Sequence, residues 1–377
     1  MENFKKVFSG KRVLVLGHTG FKGSWLTIWL NKLGANVFGA SIDVPTDPSL
    51  FEASKIKEIC QTSFLDIRDR EALAGYFNEV RPDFVFHLAA QALVGRAYQD
   101  PVETFSTNVL GTVNLLECLR RASHPVSSVL ITSDKAYENV ETVHGYRETD
   151  RLGGKDPYSA SKGCAELAIH AYVESFFLSQ NCHAHLGVGR AGNVIGGGDW
   201  SSGRLVPDVV KAWLLKNKLR IRSPGSTRPW QHVLEPLSGY LLLAALISKG
   251  QIAQGEPFNF GPRAEDLATV SDIVNSLRES FKDLTVEFEM SIDSPQFHEA
   301  GLLKLSCDKA LHRINWRPVL SIEEALNFTK EWYQKFRSSP SCSRSVSEDQ
   351  IDQYCDLGRA RGVPWAISST LENKNLG

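Results

Sequence analysis

The run Arg12-Val-Leu-Val-Leu16, followed at once by Gly17-His-Thr-Gly20-Phe-Lys-Gly23, leaves this chain few ways to begin folding. The apolar run is the pattern of a short strand buried on both faces. Trp25, Leu26, Ile28, Trp29, Leu30 and Leu33 then recur at helical spacing, and Gly34 can terminate that helix. Between them, Gly17, Gly20 and Gly23 permit a tight turn, close backbone approach to a pyrophosphate and close helix–strand packing. The helix N-terminus would face the phosphate charge. Such glycines also fit a plain strand-to-helix turn; their place after the first strand and before a helix favours a dinucleotide.

The pattern repeats downstream. Asn36 to Ser41 reads as the second strand, and Asp66-Ile-Arg-Asp69 opens a helix. Asp83 to Leu88 is a strand, Phe105 to Leu119 a helix, Ser128 to Thr132 another strand, and a helix starts near Pro157. Strands alternating with helices at this spacing predict an α/β fold with a doubly wound parallel sheet. After Arg190 the texture changes to the glycine-rich Ala191–Trp200, the turn-forming Pro224–Arg228 and a helix over Leu237–Ile247, then shorter mixed segments that suit a smaller, interleaved α/β lobe. The expected division is 1–190 for the dinucleotide domain, with 230–260 returning to it. Residues 191–229 and 261–337 would form the substrate lobe, and 338–377 a C-terminal tail whose Ser338–Ser345 stretch reads as a loose connector.

Bulk properties narrow the function. The 377 residues carry a net charge of −1, which offers no general drive toward nucleic acid or an anionic membrane. The longest conspicuous apolar run, Tyr240–Ile247, is too short to span a bilayer, and Met1–Lys6 lacks the apolar region of a signal peptide. The seven cysteines have no CxxC spacing, which argues against a disulfide framework and a zinc site. A reducing cytoplasm is expected, and no metal.

Three groups of residues have the types that chemistry requires. On a helix opened by Pro157, Tyr158 and Lys162 share a face. A phenol is a poor base, with an ordinary pKa of about 10; bringing it to about 7 takes roughly 4 kcal/mol. One ammonium about 4 Å away supplies an interaction of that order. The same spacing also fits an aromatic packed at a core edge beside a solvated lysine. Thr132-Ser133-Asp134-Lys135 follows a buried strand, at the sheet edge where ligands sit in parallel sheets, though it also fits a polar strand end. Asn193, Arg204, Arg220, Arg222 and Arg228, with Trp230 and His232 nearby, are anion-binding candidates, because a guanidinium fork matches a diphosphate. His87 reads as a packed core histidine, and His232 is open between packing and binding. Ser41 stands where an acid would read a ribose 2′-hydroxyl, with Asp43 two residues on; no arginine beside them would receive a 2′-phosphate, so NAD is favoured over NADP. Asp66 is either a further cofactor contact or the N-cap of its helix.

Taken together, Gly17-x-x-Gly20-x-x-Gly23, Asp66-Ile67, His87-Leu-Ala-Ala90, Asn108-x-x-Gly111-Thr112 and Tyr158-x-x-x-Lys162 resemble the extended short-chain dehydrogenase/reductase pattern. Within it, five stretches are similar to those of CDP-glucose 4,6-dehydratases: Gly17–Trp25, Thr132–Lys135, Asp156–Leu167, Arg190–Trp200 and Arg228–Pro236. The similarity runs from about Phe8 to Tyr333. Lys135 stands where dTDP-glucose relatives carry glutamate.

The resemblance implies a Rossmann-type fold, NAD as cofactor and a homodimer or homotetramer paired through helices, with Phe105–Leu119 and Tyr158–Ser179 as the surfaces. It assigns Gly17, Thr19, Gly20, Phe21, Lys22, Gly23, Asp43, Asp66, Ile67, Leu88, Ala89, Ala90, Asn108, Tyr158 and Lys162 to the cofactor. Gln91, Asn193, Arg204, Leu205, Arg220, Arg228 and His232 fall to the nucleotide sugar. It further implies a lyase of deoxysugar synthesis, as in O-antigen formation, that turns CDP-glucose into its 4-keto-6-deoxy form. Tyr158, aided by Lys162 and Ser133, would oxidise C4; neutral Asp134 would protonate the departing 6-hydroxyl. Lys135 would be the C5 base if neutral, or an inert partner of Asp134 if charged. A 4-epimerase needs the same Tyr/Lys pair but no acid and base at the strand end. A non-catalytic NAD-binding protein needs none of the five.

Overall fold

A computed structural model describes residues 1–179, 181–263, 266, 268–289 and 302–367. Seven strands form one wholly parallel sheet: β1 (Arg12–Leu16), β2 (Asn36–Ser41), β3 (Gln61–Phe64), β4 (Phe84–His87), β5 (Val126–Ile131), β6 (Ala184–Ala191) and, after four short strands, β11 (Glu256–Phe260). The short strands are β7 (Val194–Ile195), β8 (Lys218–Arg222), β9 (Thr227–Arg228) and β10 (Gln231–His232); β12 (Ala268–Thr269) and β13 (Thr285–Glu289) follow. The sheet order is β11-β6-β5-β4-β1-β2-β3, so the winding reverses between β1 and β4. Ligand crevices of doubly wound sheets open at that reversal, beyond the carboxyl ends of the strands.

Alternation along the strands fills two cores. Val13 and Val15 of β1 and Phe84 and Phe86 of β4 face a layer containing Trp25 and Trp29. Leu14, Leu16 and Val85 face the opposite layer, with Leu73, Leu115 and Ile169. The helix Leu234–Ile247 is buried at every residue, as a helix apolar all round must be. It lies between the sheet and an outer layer made by the last third of the chain. Around these cores, β8 pairs with β13, β7 with β10 and β9 with β12.

Two elements differ from expectation, and a third is new. The N-cap at the 70–80 helix is Asp69, whose carboxylate accepts from Glu71 and Ala72 amides; Asp66 is instead clasped by Arg68. Ser338–Ser345 is no loose connector. Helix Ile322–Ser338 ends there, a single turn Pro340–Cys342 follows, and helix Ser343–Ala360 begins. That last helix buries Ile351, Tyr354 and Cys355, a periodicity that the Ser/Pro-rich lead-in obscures. Its anchor is Glu235, whose buried carboxylate accepts from the Val319 and Leu320 amides at 3.0 and 2.6 Å and from the Tyr354 hydroxyl at 2.7 Å. Burial pushes that carboxyl up to about 7 against those donors. Finally, Glu2–Phe8 is a helix whose Phe4 stacks on Trp365.

Candidate active site

The glycine turn adopts the conformation its spacing requires. Gly17 has φ +88°, and a Cβ there would lie 2.7 Å from the Ala89 nitrogen; at Gly23 it would lie 2.1 Å from the Gly17 carbonyl oxygen. The following helix, Phe21–Lys32, has Gly20 as N-cap, no side-chain cap and no acidic residue in its first turn. Its leading N–H groups and dipole are therefore left for an external anion, which fits a pyrophosphate. Thr19 donates to the Asp43 carbonyl at 2.7 Å, while Ser41 bonds His18 at 3.0 Å. Asp43 itself is exposed at the end of this loop. Asp66 is held by Arg68 through both carboxylate oxygens, at 3.0 and 2.8 Å. Ile67 is buried beneath Gly111, where a Cβ would strike it at 2.5 Å. Leu88 extends the β4 ladder, its amide donating to Leu16 at 2.8 Å, and Ala89 and Ala90 continue past it.

The helix Pro101–Arg120 carries a π-turn at Ser106–Leu110, a feature frequent at functional sites. It aims Asn108 inward. The Asn108 amide bonds the Gln91 backbone at both ends, 2.9 and 3.0 Å, and donates to Ser161 at 2.9 Å. Asn108 thereby ties the end of β4 to the helix bearing Tyr158. Gln91 is itself committed within the chain, its side chain bonding Thr104 at 2.8 Å and the Leu93 amide at 2.6 Å.

Tyr158 begins its helix as the sequence predicts. Pro157 is the first residue, and Asp156 caps it by accepting from the Ser159 amide. Ser133 lies beside the Tyr158 phenol and lowers its pKa, and its hydroxyl donates to Asp134 at 2.9 Å. Tyr158, Ser133 and Asp134 are thus buried together. Burial pushes the phenol up to about 12, opposed by Ser133 and by the charge of Arg204. Lys162 is buried one turn along and pulled down to about 8 by desolvation, with Glu166 opposing. Arg204, assigned from the sequence to the substrate, is thus also an electrostatic neighbour of Tyr158.

Asp134 is buried, and burial raises its carboxyl, with Lys135, Ser133 and Lys22 pulling the other way. Its Oδ2 has no hydrogen-bond partner among the described residues. Gly192 leaves the space beside that oxygen open, since a Cβ there would sit 3.0 Å away. Lys135 makes no ion pair with Asp134; it is half-buried and lines an opening shared with Asn139, Lys155, Asp156, Ser159 and Leu303.

The other candidates scatter. Arg204 pairs with Asp199 at 3.0 Å, at the start of the helix Leu205–Leu215. Arg228 donates to the Thr227 carbonyl at 2.9 Å. Arg220 is an exposed β8 residue 3.8 Å from Glu287, and the Arg222 side chain lies outside the described residues. Asn193 accepts from the Gln231 amide at 3.3 Å through its backbone. His232 is fully buried, edge-on to Trp25 and Phe328, and desolvation pulls it down to about 3. His87 is a core residue bonded to Thr112 at 3.1 Å. One residue carried no signal beyond its glycine motif: Lys22, half-buried on the first turn of its helix and pulled down to about 8, chiefly by desolvation. Among the described residues no group of side chains is arranged to hold a metal.

The family model for GDP-mannose 4,6 dehydratase matches residues 14–329. A CDP-glucose 4,6-dehydratase of Salmonella typhimurium is 47% identical, covering 88% of this chain and 92% of that protein. The solved epimerase of Methanothermobacter thermautotrophicus superposes with a TM-score of 0.76 at 25% identity, over 91% of this chain and 97% of that one. A dTDP-glucose 4,6-dehydratase of Bacillus anthracis, solved in complex with NAD, gives 0.70 at 23% identity, over 86% and 96%.

Proposed function

Because the chain belongs to the GDP-mannose 4,6 dehydratase family, we propose that it dehydrates CDP-D-glucose to CDP-4-keto-6-deoxy-D-glucose, using NAD. The observation that carries this reading is Asp134: a buried carboxyl with one oxygen unpartnered among the described residues, bonded by Ser133 beside Tyr158. A dehydratase needs an acid for the leaving hydroxyl beside a base for the 4-hydroxyl. A 4-epimerase has no hydroxyl to expel.

Bound NAD would supply the hydride acceptor for C4 and the hydride donor for C6. Its pyrophosphate would be held by the uncapped Phe21–Lys32 helix, through Gly20, Phe21 and Lys22 amides, and its ribose beside Tyr158 and Lys162. Asp43 and Asp66 remain its candidate adenosine contacts. Tyr158 removes the 4-hydroxyl proton, with Ser133 beside it and the charge of Arg204 favouring the phenolate. The 4-ketone acidifies C5; Lys135 takes that proton while Asp134 protonates the 6-hydroxyl, which departs as water, and Lys135 returns its proton to C5 as C6 is reduced. Asn193, Arg204, Leu205 and Arg228 supply the lobe that takes the diphosphate end of the substrate.

The test is direct. Incubated with NAD and, separately, CDP-, dTDP-, UDP- and GDP-glucose, the protein is expected to form an alkali-absorbing keto sugar with the CDP substrate. Formation of a 4-epimer without keto product would refute the proposal. The seven cysteines are free, consistent with a cytoplasmic site of deoxysugar synthesis, and no helix among the described residues is long and apolar enough to cross a membrane. Val102, Phe105 and Leu110, with Leu167 and Phe176 on the neighbouring helix, leave an exposed apolar face that suits pairing of two copies. The double change Val102→Glu with Leu167→Glu is expected to turn a dimer into a monomer by light scattering; an unchanged mass would remove this face from consideration.

A further inference from the structure

Lys135 sits in the middle of a single helical turn, Asp134–Ala136, that is fastened at both ends. At its entry the Ser133 hydroxyl accepts from the Lys135 amide at 3.2 Å, and the Ser133 carbonyl from the Ala136 amide at 3.1 Å. At its exit stands Tyr137, fully buried and stacked on Tyr146 with 5.2 Å between ring centroids. The Tyr137 hydroxyl accepts from Arg190 Nη1 and donates to Asn259 Oδ1, each at 2.7 Å. Asn259 in turn donates to the Tyr146 and Ser306 carbonyls at 2.9 and 3.1 Å. One phenol therefore joins this turn to β6, to β11 and to the chain around Ser306.

The turn is pressed against the helix of Tyr158. The Ala136 carbonyl accepts from the Gly153 amide at 2.9 Å, and a Cβ at Gly163 would lie 3.4 Å from the same oxygen. A Cβ at Gly154 would strike the Ala160 nitrogen at 2.2 Å, so this passage lies against the first turn of the helix. Lys135 lines an opening with Tyr137, Leu303, Asp156 and Ser159, the last two belonging to the helix start. Its four-carbon stem is flexible, so the backbone of the turn must do the aiming. A misplacement of about 1 Å at a reacting group can cost about 100-fold.

We infer that Tyr137 is the positioning residue for Lys135: its hydroxyl, held between Arg190 and Asn259, fixes the turn that aims the lysine into the opening beside the Tyr158 helix. This rests on the dehydratase reading, in which Lys135 is the C5 base. The groups of the first step are held independently of this hydroxyl. Thr132 ties the end of β5 to Glu166 at 2.6 Å, and Asp156 caps the helix that begins with Tyr158. Loss of the Tyr137 hydroxyl therefore falls on proton removal from C5 and spares oxidation at C4.

The experiment compares the full-length parent, Tyr137→Phe and Lys135→Met, each mixed with NAD and CDP-glucose in deuterated water. In Tyr137→Phe, reduced nicotinamide is expected to appear in the near-ultraviolet at the parent rate. Deuterium at C5 and keto product should form about tenfold more slowly, so reduced nicotinamide accumulates. The intact first step itself shows that the variant is folded. Asn259→Leu, which removes the acceptor and leaves the phenol, is expected to show the same split and decides the matter if Tyr137→Phe does not fold. Product at the parent rate overturns the inference, and so does an equal slowing of both steps, which marks Tyr137 as part of the fold alone. If the parent makes no keto product, or Lys135→Met makes it at the parent rate, the underlying reading fails first and the inference falls with it.

Discussion

Asp134→Asn is expected to stop the reaction halfway. The substitution keeps the shape of the side chain and its contact with Ser133, but removes the only proton that the unpartnered Oδ2 can give. Loss of a positioned acid costs about 10²- to 10⁴-fold. Keto product should fall by that factor, while the near-ultraviolet signal of reduced nicotinamide should still appear on mixing with NAD and CDP-glucose. Tyr158→Phe should lose both signals, because the first proton transfer is then gone. Full product formation by Asp134→Asn would show that the 6-hydroxyl is protonated by another group. The pair of variants thus separates the oxidation from the elimination.

Glu166→Ala should be the most damaging change to the fold near the site. Glu166 and Arg190 are buried partners joined by two hydrogen bonds, one of them Nε to Oε1 at 2.7 Å. Thr132 adds a donor to Glu166 at 2.6 Å, and Arg190 reaches the Tyr137 hydroxyl at 2.7 Å and the Glu148 carbonyl at 3.1 Å. The pair ties the end of β5, β6 and the Tyr158 helix together. Removing one partner strands a buried guanidinium, which costs about 3–5 kcal/mol. Denaturant unfolding should show the loss as a lower midpoint with an unchanged slope. Replacing both residues by methionine should recover part of it, since the isolated charge is gone. An unchanged midpoint in the single variant would mean that water or a rearranged carboxylate compensates Arg190.

What could be read ahead of the structure was local. The glycine turn follows from sterics within seven residues, and Pro157 with Asp156 marks a helix start by its own chemistry. Thr132–Lys135 is found by its position after a buried strand. Other features depend on which neighbour, near or far along the chain, engages a side chain. Asp66 and Asp69 are equivalent as candidate caps until Arg68 takes one of them. Gln91 looks like a free binding group, but Thr104 and Leu93 engage it. His232 is committed to packing only because Trp25 and Phe328 arrive from either side. Arg204 acts on Tyr158 across a loop, and no spacing rule connects residues so distant in sequence. The last helix was missed because its buried face follows a polar lead-in.

The Glu235 carboxylate gives that last helix a further meaning. One side chain receives the amides of Val319 and Leu320 and the hydroxyl of Tyr354, while Ser238, one turn on, receives the Trp316 indole and the same hydroxyl, each at 3.0 Å. Two late passages of the chain are therefore fastened to a single turn of a helix that has no polar face of its own. During synthesis that helix is complete at Ile247, well before Trp316–Leu320 and then Tyr354 exist to cover it. Until the cover arrives, the side of that helix turned away from β5 and β6 is an apolar surface open to water, so its burial waits on segments made later.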